Sequence, residues 1–426
     1  VMAELRISVD RLQIGNYIKL PLSWRDHPFL LSSFMIKKEE QIQLIRQLRL
    51  KHVFIIPEKS DAPPKPAEIL EMSHSDIDLD DEIVTLQEKM QAEKLQRIEQ
   101  MKEYRRSVQR TEQSFNRSLA QMRALINKLQ NRPLNAIREA HELVEDITTQ
   151  LMQADQMVLH LMVDSPEGES LYYHTLNVAM LSMLLAKQCG KTAEEIKLLG
   201  MAAIFHDIGK IKIPTQILRK TEPLTKPEEN LYKMHPRYSL TFLDLAKEFP
   251  EQAKGLILKH HERLDGSGYP EGLKGPQLDD LTQLMAVIDE YDSLCHPQIG
   301  GKTAATPHTV LSFMFTHKTK QLNKDYIGLL IKHLGIYPPG SVVELSNGLV
   351  GLVMSVNSQR LLYPSVLIYD AAIPRTEAAV VDLESMNLSI KRVLLPSRLP
   401  QEIFDYLSPR TRISYFFDSS NGTNSN

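Results

Sequence analysis

The strongest constraint on this chain is a set of ionisable side chains placed inside apolar, helix-forming sequence. His174 sits between Leu171 and the run of Leu176, Val178, Ala179 and Met180. His206-Asp207 follows Met201-Ala202-Ala203-Ile204-Phe205, and Asp289 follows Leu284-Met285-Ala286-Val287-Ile288. Sequence this apolar is buried on folding, and a buried carboxylate needs a charge partner or a metal. The fold must therefore gather these positions at one polar point inside a helical core. Two more segments carry the same residue types: His235 before Pro236, and His260-His261-Glu262 opening the run Arg263-Leu264-Asp265-Gly266-Ser267-Gly268-Tyr269-Pro270. Neutral imidazoles and carboxylates suit Fe, Mn, Ni or Zn, and a dication offsets the cost of burying them. Such a set is enough for two metal ions with open positions. Each piece alone is weak. A single histidine on an apolar face is ordinarily a hydrogen-bonded core residue, a His-Asp dipeptide is common, and Asp265-Gly266-Ser267-Gly268 alone is a turn. Order and spacing together carry the metal reading.

Composition narrows the rest. The 426 residues suggest two to four domains, and 42% hydrophobic with 24% charged residues is an ordinary globular balance. Only 18 glycines and 6% aromatics favour helices over a barrel or sandwich. With 50 Lys+Arg against 53 Asp+Glu, no excess of positive charge points to a nucleic-acid polymer. The two cysteines, Cys189 and Cys295, make no disulfide framework and fit a reducing compartment. The first residues lack the basic-then-apolar layout of a signal peptide. No apolar run reaches the roughly 18 residues of a membrane span, and Leu361–Ile373 is too short and carries Asp370. A cytoplasmic protein without a membrane segment is the expectation.

The fold class that follows is mainly α. Residues 1–60 read as a small α/β unit: strands at 4–8 and Tyr17–Leu20, a helix over Ile36–Leu50 and a buried strand at Val53–Ile56, with Trp24 as a packing residue. Residues 61–80 read as a proline-rich linker, since Pro57–Pro66 resists both helix and central strand. Residues 81–160 read as a long helical connector. In it Phe115, Leu119, Met122, Ile126 and Leu129 repeat at helical spacing, Pro133 breaks the run, and a second helix extends from about Leu134 to Val163. That stripe suits either a homodimer seam or an intramolecular one. Residues 161–335 read as an all-helical domain holding the His/Asp set. Residues 336–400 read as an antiparallel β appendage, with strands at Ser341–Leu345, Leu349–Val356 and Ser365–Tyr369 and a hairpin turn at Asn347-Gly348. Residues 401–426 read as a C-terminal segment ending in a disordered tail.

The all-helical domain, over roughly residues 160–335, resembles the HD-GYP family of bacterial cyclic-dinucleotide phosphodiesterases. His206-Asp207 matches its name-giving dyad and Gly209-Lys210-Ile211-Lys212-Ile213-Pro214 its continuation. His260-His261-Glu262, Asp265-Gly266 and Gly268-Tyr269-Pro270 match the second signature, and Val287–Leu294 is similar to the helix that follows. The N-terminal unit, through Asp26-His27-Pro28-Phe29 and Ser32-Ser33-Phe34, resembles the small uncharacterised domain that precedes some members.

The resemblance implies a metal-dependent hydrolase of a 3′,5′-cyclic dinucleotide, either cyclic di-GMP or 3′,3′-cyclic GMP-AMP. It implies His174, His206, Asp207, His235, His260, His261 and Asp289 as ligands of two divalent ions, Fe or Mn first and Ni or Zn as alternatives. Asp207 would bridge the ions, and a water activated between them would attack phosphorus. Lys210, one helical turn on, would offset charge on the phosphate. Glu262 and Asp265 would orient ligands or the loop, and Gly268, Tyr269 and Pro270 would line the nucleotide pocket or meet a signalling protein. Three positions depart from the family pattern. Ser170 replaces a Glu found in three-metal members, which implies two metals here. Gln298-Ile299-Gly300-Gly301 replaces an Arg-Pro-Tyr-Arg segment, leaving Gln298 and Lys302 as the phosphate contacts of that region. Ser239 stands where Gly is usual. The competing readings are a catalytically silent cyclic-dinucleotide receptor or adaptor that signals through protein contacts, and a general phosphohydrolase of mononucleotides or alarmones.

Overall fold

The computed structural model describes residues 4–23, 26–29, 31–66, 81–129, 131–153, 158–161, 170–244, 248–297, 299, 305–356, 362–371, 373–375, 378, 380–384, 386–408 and 415–418. Trp24, Gln298 and Lys302, singled out above, lie outside these residues, as does the tail beyond Asp418.

Strands β1 (Leu5–Ser8), β2 (Tyr17–Lys19) and β3 (Ser33–Met35), helix α1 (Glu39–Gln47) and strand β4 (His52–Ile55) form the N-terminal unit. Its antiparallel sheet runs β1-β4-β2-β3. Ile42, Leu44 and Ile45 of α1 pack with Ile7, Ile18, Val53 and Ile55 of the sheet. The helix is shorter than the Ile36–Leu50 expected from sequence. Ile36 is buried, but its backbone pairs with the Gly15-Asn16 loop: Gly15 N donates to Ile36 O (2.8 Å) and Ile36 N to Asn16 O (2.9 Å). The helix can begin only after it, where the Gln41 side chain accepts from the backbone N–H of Lys37 (2.7 Å) and Lys38 (3.1 Å).

Helix α2 (Asp81–Leu129) spans 49 residues, about 70 Å at 1.5 Å per residue. Pro133 opens α3 (Pro133–Gln153), where its missing N–H costs nothing. Phe115, Leu119, Met122, Ile126 and Leu129 are buried in one cluster with Ala140, Leu143, Val144 and Ile147 of α3. This half of the stripe is an intramolecular seam. The second connector helix does not reach Val163: it ends at Gln153, and Val158–Leu161 is strand β5.

Helices α4 (Ser170–Gln188), α5 (Ala193–Phe205), α6 (Thr215–Leu218), α7 (Lys226–Tyr232), α8 (His235–Leu243), α9 (Glu251–Lys259), α10 (Asp280–Cys295), α11 (Pro307–His317) and α12 (Lys324–Leu334) follow, with no strand among the described residues between them. Except for the short α6 and α7, their apolar faces join the same core, through Val178, Met183, Leu199, Phe205, Leu284, Ile288 and Ile327.

Strands β6 (Val342–Leu345), β7 (Val350–Ser355), β8 (Ser365–Ile368), β9 (Val380–Asp382) and β10 (Ile390–Leu394) form an antiparallel sheet in the order β10-β6-β7-β8-β9. Asn347-Gly348 turns between β6 and β7, with Gly348 at φ 77° and Asn347 Oδ1 accepting from Leu349 N (3.1 Å). Helix α13 (Gln401–Leu407) precedes strand β11 (Tyr415–Asp418), which pairs antiparallel with β5. The N-terminal unit also meets the five-stranded sheet region: Ser32 N donates to Asp370 Oδ2 (3.3 Å), and Leu31 and Ile373 are buried together. No helix among the described residues is long and apolar enough to cross a membrane.

Candidate metal centre

Three helices end at one buried point. Helix α5 stops at Phe205, so His206 and Asp207 step off its C-terminus. Helix α7 stops at Tyr232, three residues before His235 opens α8, and α9 stops at Lys259 just before His260 and His261. A helix C-terminus leaves carbonyls without intrahelical partners. Here they are used to orient rings. His206 Nδ1 donates to Ala203 O (2.7 Å), His235 Nδ1 to Tyr232 O (2.8 Å) and His260 Nδ1 to Ile257 O (2.6 Å). His174, from α4, donates Nδ1 to Asp292 Oδ2 of α10 (2.6 Å), and Asn177 Nδ2 holds the other Asp292 oxygen. With each Nδ1 donating, each Nε2 turns its lone pair inward, the arrangement of metal-bound imidazoles.

Asp207 divides the centre. Its Oδ2 lies 3.3 Å from His174 Nε2 and 3.5 Å from His206 Nε2. Its Oδ1 lies 3.2 Å from His235 Nε2 and 3.9 Å from His260 Nε2. Asp289 Oδ1 closes the first side, 3.3 Å from His174 Nε2 and 3.5 Å from His206 Nε2. Its Oδ2 lies 3.4 Å from His261 Nδ1, on the second side. The donor atoms of Asp207, His235, His260 and His261 lie within 4.8 Å of one another, as do those of His174, His206 and Asp207. Asp207 Oδ1, Asp289 Oδ2 and His261 Nε2 are buried without a hydrogen-bond partner. Lone pairs that converge this closely repel one another unless protons or cations sit among them. The donor set therefore fits two divalent ions sharing Asp207.

The charges agree. Burial pushes the Asp207 pKa up, but Lys210, His206, His174 and His235 outweigh it and hold the carboxyl well below the usual range. Asp289 and Asp292 are held low in the same way, against burial, by neighbouring histidines. Burial lowers His260 to about 3 and also lowers His235 and His261, so these rings stay neutral. His174 goes the other way: burial opposes its proton, but Asp207, Asp289 and Asp292 raise its pKa. Lys210 Nζ contacts Asp207 Oδ2; despite burial, that carboxylate raises the lysine pKa and keeps the ammonium charged.

The loop after His261 covers one side. Glu262 is buried, with Oε1 accepting from Glu271 N (2.7 Å) and Oε2 from Leu273 N (2.9 Å), so it pins the loop. Asp265 is exposed and accepts from Ser267 N (2.9 Å), a local turn contact away from the cluster. Gly268 passes so close to Glu262 that a Cβ would stand 2.4 Å from its Cα. The Tyr269-Pro270 peptide is cis, and the Tyr269 ring stacks on His261 with centroids 4.7 Å apart. Sequence reasoning passed over Asp292 and Asn177, although each lies one helical turn from a proposed ligand, Asp289 and His174, in the same apolar helix. It also passed over Tyr232, whose ring lies 5.0 Å from that of His235 and 5.6 Å from Lys210 Nζ.

Comparison with known proteins agrees with this architecture. The HD domain family matches residues 156–322, and a domain of unknown function (DUF3391) matches residues 4–140. A cyclic di-GMP phosphodiesterase of Pseudomonas aeruginosa is 28% identical over 378 residues, covering 86% of this chain and 85% of that protein. The cyclic di-GMP phosphodiesterase response regulator RpfG of Xanthomonas campestris is 36% identical over 150 residues, 35% of this chain and 39% of the relative. The 3′3′-cGAMP-specific phosphodiesterase 1 of Vibrio cholerae is 35% identical over 141 residues, 32% of each chain. The match thus spans most of the first relative and about a third of the other two. From its buried His/Asp centre and these matches, the chain carries an HD domain preceded by a DUF3391 domain and is similar along most of its length to a cyclic di-GMP phosphodiesterase.

Proposed function

We propose that this protein is a metal-dependent phosphodiesterase that hydrolyses a 3′,5′-cyclic dinucleotide, cyclic di-GMP or 3′,3′-cyclic GMP-AMP, to the linear dinucleotide. The observation that carries the reading is Asp207, whose two oxygens face two different imidazole groups. His174, His206, Asp207 and Asp289 would hold one ion, and Asp207, His235, His260 and His261 the other. Such a pair, Fe or Mn by ligand type, supplies the Lewis acidity that lowers the pKa of water and neutralises a phosphate. The chain's residues do the rest. Carbonyls of Ala203, Tyr232 and Ile257 fix three rings with Nε2 inward. Lys210 carries a fixed positive charge beside Asp207 and stabilises charge that builds on the phosphate oxygens. Gly268, Tyr269 and Pro270 line the nucleotide pocket, and Gln298 and Lys302 are the remaining candidates for substrate contact. The printed activities of the relatives support the substrate class.

The test is a pair of variants. His206→Ala and Asp207→Ala should each abolish linear product from both dinucleotides. They should also abolish the cellular response to overexpression. Loss of product with the cellular response retained would replace the enzyme by a receptor.

A further inference from the structure

Asp207 begins the 3₁₀ turn Ile208–Lys212, in the position where an aspartate ordinarily accepts from a backbone N–H two or three residues on. It makes no such bond, because its carboxylate is turned into the metal centre. The N–H of Gly209 would then be buried and unpaired, at a cost the fold must meet elsewhere. It is met from another helix. Ser239 of α8 is fully buried, and its Oγ accepts from Gly209 N (2.9 Å). The same hydroxyl donates to His206 O (2.8 Å) and also lies 3.1 Å from His235 O. One side chain thus ties together the backbones that carry His206 and Asp207 on one element and His235 on another. The approach depends on Gly209: a Cβ there would stand 2.0 Å from His235 O and 2.5 Å from Ser239 N.

We propose that Ser239 is a positioning residue of the metal centre, whose hydroxyl replaces the cap that Asp207 gives up and sets the spacing between the His206 and His235 rings. The proposal rests on the two-ion reading above and deepens it. His206 and His235 belong to different halves of the centre, so loss of the hydroxyl weakens both ion sites. Groups that orient metal ligands through one intervening contact typically account for about 10- to 100-fold in metal affinity.

The experiment is an anaerobic Mn(II) titration of the full-length metal-stripped protein, followed by calorimetry, with thermal melts of the same samples. Ser239→Ala and the isosteric Ser239→Cys, which offers only a weak donor and acceptor, are compared with wild type. The control is Thr148→Val, which removes another buried hydroxyl that bonds Val144 O (2.7 Å) on α3, within the core. The expected result is two sites in wild type, with Mn(II) affinity at both reduced about 10-fold or more in Ser239→Ala, less in Ser239→Cys, and unchanged in Thr148→Val. Two tight sites in wild type with equal affinities in Ser239→Ala, whatever its melting temperature, would overturn the positioning role alone. An absence of Mn(II) sites in wild type would overturn the two-ion reading and this inference with it.

Discussion

At Asp207, burial and ion pairing pull in opposite directions, and pairing wins because one cation and several imidazoles surround a single carboxylate. Asp207→Asn keeps the shape and removes the charge, so it should cut metal content below one ion per chain and abolish turnover. Elemental analysis of the purified variant checks this. Lys210→Met should leave the ions in place and lower kcat by about 10²-fold or more, since the ammonium acts on developing charge. Single-turnover kinetics at full metal occupancy separates that effect from lost binding. Asp292→Asn should weaken metal binding about 10- to 100-fold, because the His174 ring loses the carboxylate that orients it. That the inward-facing residues would be buried together was legible in the sequence for a physical reason: a charged or polar residue amid Met, Ala, Ile and Phe cannot be buried alone. Asp292 was less legible because it shares its helix and residue type with Asp289. Ser239 was legible only as a departure from the family pattern, since a hydroxyl in a helix carries no sign of what it will bond.

The elements followed the sequence where their contacts are local. The 3- and 4-residue spacing of Phe115, Leu119, Met122, Ile126 and Leu129 predicts a buried helical stripe, and α3 covers it. Leu143→Ala in α3 should open a cavity in that seam and lower unfolding free energy by about 2–5 kcal/mol, measured by urea titration. Strand β5 could not be foreseen in the same way. Its partner β11 begins more than 250 residues later, and a short run such as Val158-Leu159-His160-Leu161 fits a helix or a strand by periodicity alone. The start of α1 was misjudged for a related reason: Ile36 has the right spacing for the helix, but the Gly15-Asn16 loop claims its backbone.

Across the whole molecule, the N-terminal unit is tied to both the connector and the C-terminal sheet. Lys94 of α2 donates to His27 O (2.7 Å), while Ser32 N donates to Asp370. Burial first, and Lys94 second, lower the His27 pKa from 6.5 to about 4, against the pull of Asp26. The unfolded chain therefore binds a proton at His27 that the folded chain refuses between pH 6.5 and about 4. This contribution to stability is complete above pH 6.5 and is lost as pH falls toward about 4. Hydrogen exchange in residues 26–37 should accelerate relative to the rest of the chain across that window, and a His27→Gln variant should lose the dependence. The decisive measurement is product analysis by mass spectrometry on protein reconstituted anaerobically with Fe(II) or Mn(II), given equal amounts of cyclic di-GMP and 3′,3′-cyclic GMP-AMP together. The account predicts linear dinucleotide from at least one of them, with the product ratio reporting relative kcat/KM. Metal-loaded protein that leaves both substrates cyclic would contradict it.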